Sequence, residues 1–156
     1  MIRILLAISL LVSAAANAQD GGMREVPPGL VTKASPYSVV ETTNRIEAAA
    51  RAIGANIFNR IDYQELSRKA ANIEVKPNQL LIFGRGKGGP YLIREAPLSA
   101  IDLPFKALAW EDANGKVWVT YTTGTFIGRR YTVEGAAEFV KNIDDTIEKL
   151  VADALR

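Results

Sequence analysis

Residues 103–123 read LPFKALAWEDANGKVWVTYTT. Two apolar runs flank Asn114-Gly115, the strongest short-range hairpin signal a sequence offers. On the second arm Val117, Val119 and Tyr121 fall on one face and Trp118 and Thr120 on the other, as period-2 alternation requires. A hairpin with an apolar face needs a cover, and the C-terminal residues supply one. Over Glu134–Leu155, Ala136, Val140, Ile143, Ile147, Leu150 and Ala154 recur at helical spacing, while Lys141, Asp144, Asp145, Glu148 and Lys149 are expected to face water.

Working back along the chain, QLLIFG (79–84) is a short continuous apolar run and reads as a buried strand. NIFNRID (56–62) alternates and reads as another. YQELSRKAAN (63–72) reads as a short helix or turn, and GGPYLIREAP (88–97) as one or two helical turns. The β-branched YSVVETT (37–43) is expected to be the first strand. A helix is expected from Asn44, with Glu47 as its capping-box acid, Ile46, Ala49, Ala50 and Ile53 on its apolar face, and Gly54 at its end. Strand, helix, several strands, helix predicts an α+β domain: a mostly antiparallel sheet with helices packed on one face.

The N-terminus has a different character. Arg3 precedes ILLAISLLV (4–12), then SAAANAQD, in which Ala16-x-Ala18 matches a signal-peptidase site. Nine residues at about 1.5 Å each fall well short of the roughly 30 Å of a bilayer core. Residues 1–18 are therefore expected to be a cleaved signal peptide, and the protein periplasmic or secreted. Residues 19–36, rich in Gly and Pro, are expected to be a flexible leader, and 37–156 the domain.

Composition narrows the chemistry. The chain of 156 residues has a formal charge of +2, with no cysteine and no histidine. So small an excess gives little drive towards nucleic acid. Thiolate sites, a thiol nucleophile and imidazole acid–base chemistry are excluded; no cofactor is implied, and no metal site is expected.

IFGRGKGG (82–89) resembles a phosphate loop at first sight. A Walker A loop would need Lys and Ser/Thr where Pro90 and Tyr91 stand, and the spacing of a G-x-G-x-x-G fingerprint also fails. What remains is a glycine turn carrying Arg85 and Lys87, able to offer backbone N–H groups and charge to an anion. Asp62 and Asp102 each follow an isoleucine. Partial burial could make either an acid or base, although hydrogen bonding to backbone or arginine is the commoner use of such a residue. Arg129-Arg130-Tyr131 precede the last helix, and Thr132 is its expected N-cap.

FNRIDY, QLLIFGRGKGG, AIDLPFKALAWEDANGKVWVTY and RRYTV, in that order, resemble the DUF302 family over roughly residues 37–154. The resemblance implies a compact β-α-β(4)-α fold and assigns no biochemical function. Family members usually carry histidine where this chain has Tyr63 and Tyr131, so a histidine-dependent role does not carry over; the loop lysine, Lys87, is kept.

Together these observations point to a non-enzymatic binding module for a small anionic ligand or an acidic peptide. Arg85, Lys87 and Arg130 would supply charge, and Asp62, Tyr63, Asp102 and Tyr131 polar lining. Two alternatives stand beside it. One is an Asp-dependent hydrolase or isomerase; the other is a structural interaction protein, homodimeric or otherwise, using an exposed hairpin face with Trp110 and Trp118. N-terminal sequencing of protein purified from its own host should begin at Gln19; a full-length product retained in the cytoplasm would refute export.

Overall fold

The computed structural model describes residues 26–86, 89–133 and 137–156. Strands β1 (Leu30–Ser35), β2 (Asn56–Asp62), β3 (Asn78–Gly84), β4 (Phe105–Glu111) and β5 (Val117–Thr122) form one sheet in the order β1-β5-β4-β3-β2. Every neighbouring pair is antiparallel. Helices α1 (Val39–Ala52), α2 (Tyr63–Ala71), α3 (Gly89–Glu95), α4 (Gly124–Arg130) and α5 (Ala137–Ala154) complete the α+β architecture, with a 3-10 turn at Pro97–Asp102.

The expected hairpin is β4–β5, with Trp110 opposite Trp118. Gly115 N–H donates to the Asp112 carbonyl at 3.1 Å and Gly115 has φ +81°, so Ala113 and Asn114 form the turn and Gly115 takes the left-handed position after it. The Asp112 carboxylate accepts from Trp118 Nε1–H (2.8 Å), Asn114 N–H (2.9 Å) and Lys116 N–H (3.0 Å). The Trp118 bond foremost, with the backbone donors, holds this carboxyl below its usual range.

The first strand departs from expectation. It is Leu30–Ser35, inside the stretch expected to be leader, whereas residues 37–43 turn into α1. Ser38 starts that helix, its hydroxyl accepting from Glu41 N–H at 3.2 Å in a Ser-x-x-Glu pattern. Thr42 and Thr43 are buried, and their hydroxyls are satisfied: Thr42 shares 2.6 Å with Ser35 Oγ, and Thr43 donates to the Val39 carbonyl at 2.8 Å. Residues that favour strands by a few tenths of a kcal/mol thus become helical once packing and capping are met. Asn44, expected as the cap, lies mid-helix and accepts from Arg60 Nη1 at 2.7 Å.

α1 and α5 cover one face of the sheet. Ile46 and Ala50 from α1 meet Leu81, Phe83, Ala107, Val119 and Tyr121 from the strands and Ile147, Leu150 and Val151 from α5. Burial pushes the Tyr121 hydroxyl up to about 12. The other face carries Leu80, Ile82, Leu108, Trp110 and Trp118, all half-buried.

Sequence inspection did not find α4. Thr123 caps it, accepting from Phe126 N–H at 3.2 Å. Asp144, reaching from α5, accepts from Gly124 N–H and from both the N–H and the hydroxyl of Thr125. Asp144 therefore serves α4 rather than facing water as expected. Arg129 and Arg130 form the last turn of α4, and Thr132, with φ +53°, follows it. Glu134–Ala136, the expected start of the last helix, lie outside the described residues.

Gly124 and Gly128, one helical turn apart, face α5. A Cβ on Gly124 would lie 2.8 Å from Ile143 Cγ2 and 3.1 Å from the Val140 carbonyl oxygen. Gly124→Ala is expected to destabilise the domain by about 1–3 kcal/mol, the usual range for overpacking, despite alanine's better helix propensity. Urea denaturation measures this; an unchanged or raised midpoint would mean that the two helices are not in close contact.

Candidate functional site

The register of β2 and β3 sets where the candidate residues fall. Asp62 lies opposite Gln79 at one end of the pair, and Asn56 opposite Gly84 at the other. From Gln79 to Gly84 a strand advances roughly 17 Å at about 3.4 Å per residue. Asp62 and Tyr63 are therefore at the opposite end of the sheet from Arg85.

Asp62 has a structural task at its end. Its Oδ1 accepts from Glu65 N–H at 3.0 Å as the N-cap of α2, and its Oδ2 accepts from Gln79 Nε2–H at 2.8 Å. The backbone bond first, then the Gln79 bond, lowers its pKa, the reverse of what a general base near neutrality needs. Arg60 braces the same point through Gln79 Oε1 at 2.6 Å. Tyr63 is the first residue of α2 and is exposed.

The other end gathers more. β4 begins with Phe105 opposite Phe83 and is preceded by the 3-10 turn ending at Asp102. The Asp102 carboxylate accepts from the Tyr131 hydroxyl at 2.8 Å and pairs with Arg130 Nη1 at 3.4 Å. The Arg130 guanidinium lies 5.5 Å from the centre of the Tyr131 ring. The hydrogen bond to Asp102 raises the Tyr131 pKa, because an ionised phenol could not donate it. Lys106 Nζ donates to the carbonyls of Asp102 (2.8 Å) and Pro104 (3.1 Å). The structure thus unites Asp102, Arg130 and Tyr131, which the sequence separates, into a latch between the 3-10 turn and the end of α4. Arg130 spends its charge within this latch. Lys87 lies outside the described residues.

Beside the latch, a cleft of about 440 Å³ opens between α5 and the end of the sheet. Ile53, Phe83, Phe105, Ile143, Ile147 and Leu150 form its apolar lining; Arg85, Asn142 and Thr146 are its polar members, and Tyr91 and Phe139 line it too, their ring centres 5.6 Å apart. A second hollow, of about 300 Å³, shares Gly84, Arg85 and Phe105 with it and adds Phe58, Pro90, Ile93, Ala100, Leu103 and Pro104. Among the described residues no carboxylate lies within ion-pair distance of Arg85. Sequence reasoning found Arg85 but read the apolar lining as core. Phe139 lies on the same i, i+4 row of α5 as Ile143 and Ile147, so by its spacing it too reads as core.

Comparison with known proteins fits this geometry into a wider group. A family model described as "Domain of unknown function DUF302" matches residues 31–151. The crystal structure of an uncharacterized conserved protein DUF302 from Bacillus stearothermophilus is similar, with a TM-score of 0.74 and 16% identity, over 83% of this chain and 100% of that one. Among curated proteins, the fluoride-specific ion channel FluC 1 of Brucella suis is 38% identical over 108 residues, 69% of this chain and 42% of the relative. FluC 1 of Brucella abortus matches equally, over 40% of its length. The chain thus spans about two fifths of the curated relatives it matches.

Asp62→Ala is expected to cost about 0.5–2 kcal/mol, the usual range for losing an N-cap, and to leave the cleft at the far end of the sheet unchanged. The Asp62 pKa is lower in the folded than in the unfolded chain, so its contribution is present above the unfolded value, 3.8, and is lost as pH falls through the folded one. Denaturation midpoints of both proteins should therefore converge in acid; a difference that persists unchanged there would refute the assignment.

Proposed function

We propose that this chain, which belongs to the DUF302 family, is an exported ligand-binding module whose ligand pairs an apolar body with one anionic group. The observation that carries this is the cleft itself: an apolar chamber of about 440 Å³ with Arg85 among its few polar members. Small-molecule sites have this constitution, a mainly hydrophobic lining with a few polar groups that orient the ligand. An arginine suits a carboxylate or phosphate because its fork can donate two parallel hydrogen bonds. Export rests on the Arg3, apolar run and Ala16-x-Ala18 pattern. From the curated relatives named fluoride-specific ion channels, an association with anions is taken over, and not conduction, because the shared segment is less than half of their length.

The chemistry at hand favours binding over turnover. Asp102 is engaged by Tyr131 and Arg130, and Asp62 is held ionised as a cap at the other end of the sheet. Neither stands over the cleft as a poised base.

Dodecanoate, dodecanol and inorganic phosphate are suitable probes. Dodecanoate should shift the NMR signals of Phe83, Phe105, Ile143 and Thr146 with an affinity in the micromolar range, since several modest contacts are offset by the entropy of association. Dodecanol and phosphate should each bind more weakly, lacking one half of the recognition. Arg85→Ala should weaken dodecanoate about tenfold or more, as expected for a charged hydrogen bond of about 1.5–3 kcal/mol, and leave dodecanol unaffected. No shift at the cleft with any probe, or equal losses for both dodecyl ligands, would overturn the proposal.

A further inference from the structure

Gly84, at the end of β3, and Arg85 after it line two chambers at once: the cleft of about 440 Å³ and the neighbouring hollow of about 300 Å³. Phe105, which starts β4 opposite Phe83, is the third residue common to both. The remaining walls differ. Phe83, Ile143 and Ile147 belong to the cleft, and Phe58, Ile93 and Leu103 to the hollow.

Among the described residues, Arg85 is the only charged member of either lining. Two apolar chambers therefore share one guanidinium. The cleft has Asn142 and Thr146 as further polar side chains, whereas the other walls of the hollow are apolar side chains and glycine. A polar group placed in the hollow would lose its water without gaining a side-chain partner, so the chamber suits hydrocarbon. Glycine keeps it open. A Cβ on Gly84 would lie 3.6 Å from Pro104 Cβ and 3.7 Å from the Phe58 ring, two walls of the hollow, and Gly86 has open space at the same position. The glycines flanking Arg85 thus leave room beside the cation that side chains would occupy.

We propose that the hollow is a second subsite for the same ligand, and that this ligand is a monoanion whose charged group stands between two hydrocarbon arms. The longer arm lies in the cleft, the shorter in the hollow, and the anion on Arg85 where the two linings meet. The inference rests on the reading of the cleft given above and narrows its ligand. Two separate anions are disfavoured, because both would compete for one guanidinium. A straight chain ending in its anion would fill the cleft and leave the apolar walls of the hollow to water, forgoing the burial they offer.

Titration with octanoate, dodecanoate and 2-butyloctanoate, followed by calorimetry and NMR, tests this. The last two are isomers: each is octanoate with a butyl group added, at the chain end in one and beside the carboxylate in the other. Each should bind about tenfold or more tighter than octanoate, because the added CH₂ groups are buried. Only 2-butyloctanoate should shift the signals of Ile93, Ala100 and Leu103. Ala100→Phe, which sets a ring against the hollow from an exposed position, should remove most of the gain of 2-butyloctanoate and leave that of dodecanoate intact. Phe58→Ser, which removes an exposed apolar wall, should act in the same sense. Both variants should keep the parent melting profile. If dodecanoate binds the cleft but 2-butyloctanoate binds no tighter than octanoate, shifts only cleft signals, or keeps its gain in both variants, this inference alone is overturned. Absence of all three acids from the cleft would overturn the reading of the cleft with it.

Discussion

The close approach of α4 to α5 is the constraint on which the working end of the molecule depends. Two glycines on α4 let its backbone lie against Val140 and Ile143, and Asp144 ties the start of α4 to the side of α5. Ile143 belongs both to that contact and to the lining of the cleft. A Cβ at Gly124 would lie too close to Ile143 and near the Val140 carbonyl, so Ile143, a lining residue, would have to shift. The same contact carries the end of α4 towards the 3-10 turn, where Tyr131 and Arg130 reach Asp102. Helix contact, latch and cleft are thus one mechanical unit.

The antiparallel register has an equally definite effect. By placing the end of β2 at the far end of β3 from Gly84, it assigns two similar carboxylates to separate duties. Asp62 caps a helix and Asp102 fastens a turn. The donors around Asp62 favour its ionised form, while Asp102 is bonded to the Tyr131 hydroxyl and paired with Arg130.

What the sequence made legible follows from the range of the interactions involved. The β4–β5 hairpin, β3 and the stripe of α5 are specified by local turn chemistry and periodicity, and each was found. The start of α1 was missed although Ser38 and Glu41 advertise it, because β-branched residues mask a cap whose value depends on burying Thr42 and Thr43. β1 was missed because its strand character depends on pairing with β5, far along the chain. α4 was missed because its glycines look like a loop until α5 is seen against them. At the site, charged residues could be named from the sequence, but the register that separates Asp62 from Arg85 could not. Nor could the apolar lining be told from core, since Phe83 and Phe105 are ordinary core residues in every respect except the space beside them.

The pairing of β1 with β5 sets the order in which the protein can form. Thr32 and Thr120 share a hydroxyl–hydroxyl contact of 2.9 Å across 88 residues of chain. Closing so long a loop is entropically unfavourable until the segments between have condensed, and such distant contacts slow folding. The β4–β5 hairpin and its neighbour β3 can assemble from adjacent segments; the N-terminal strand can only be added to a sheet edge that already exists. A chain synthesised from its N-terminus therefore keeps its leading strand unpaired until β5, the last strand of the sheet, is available.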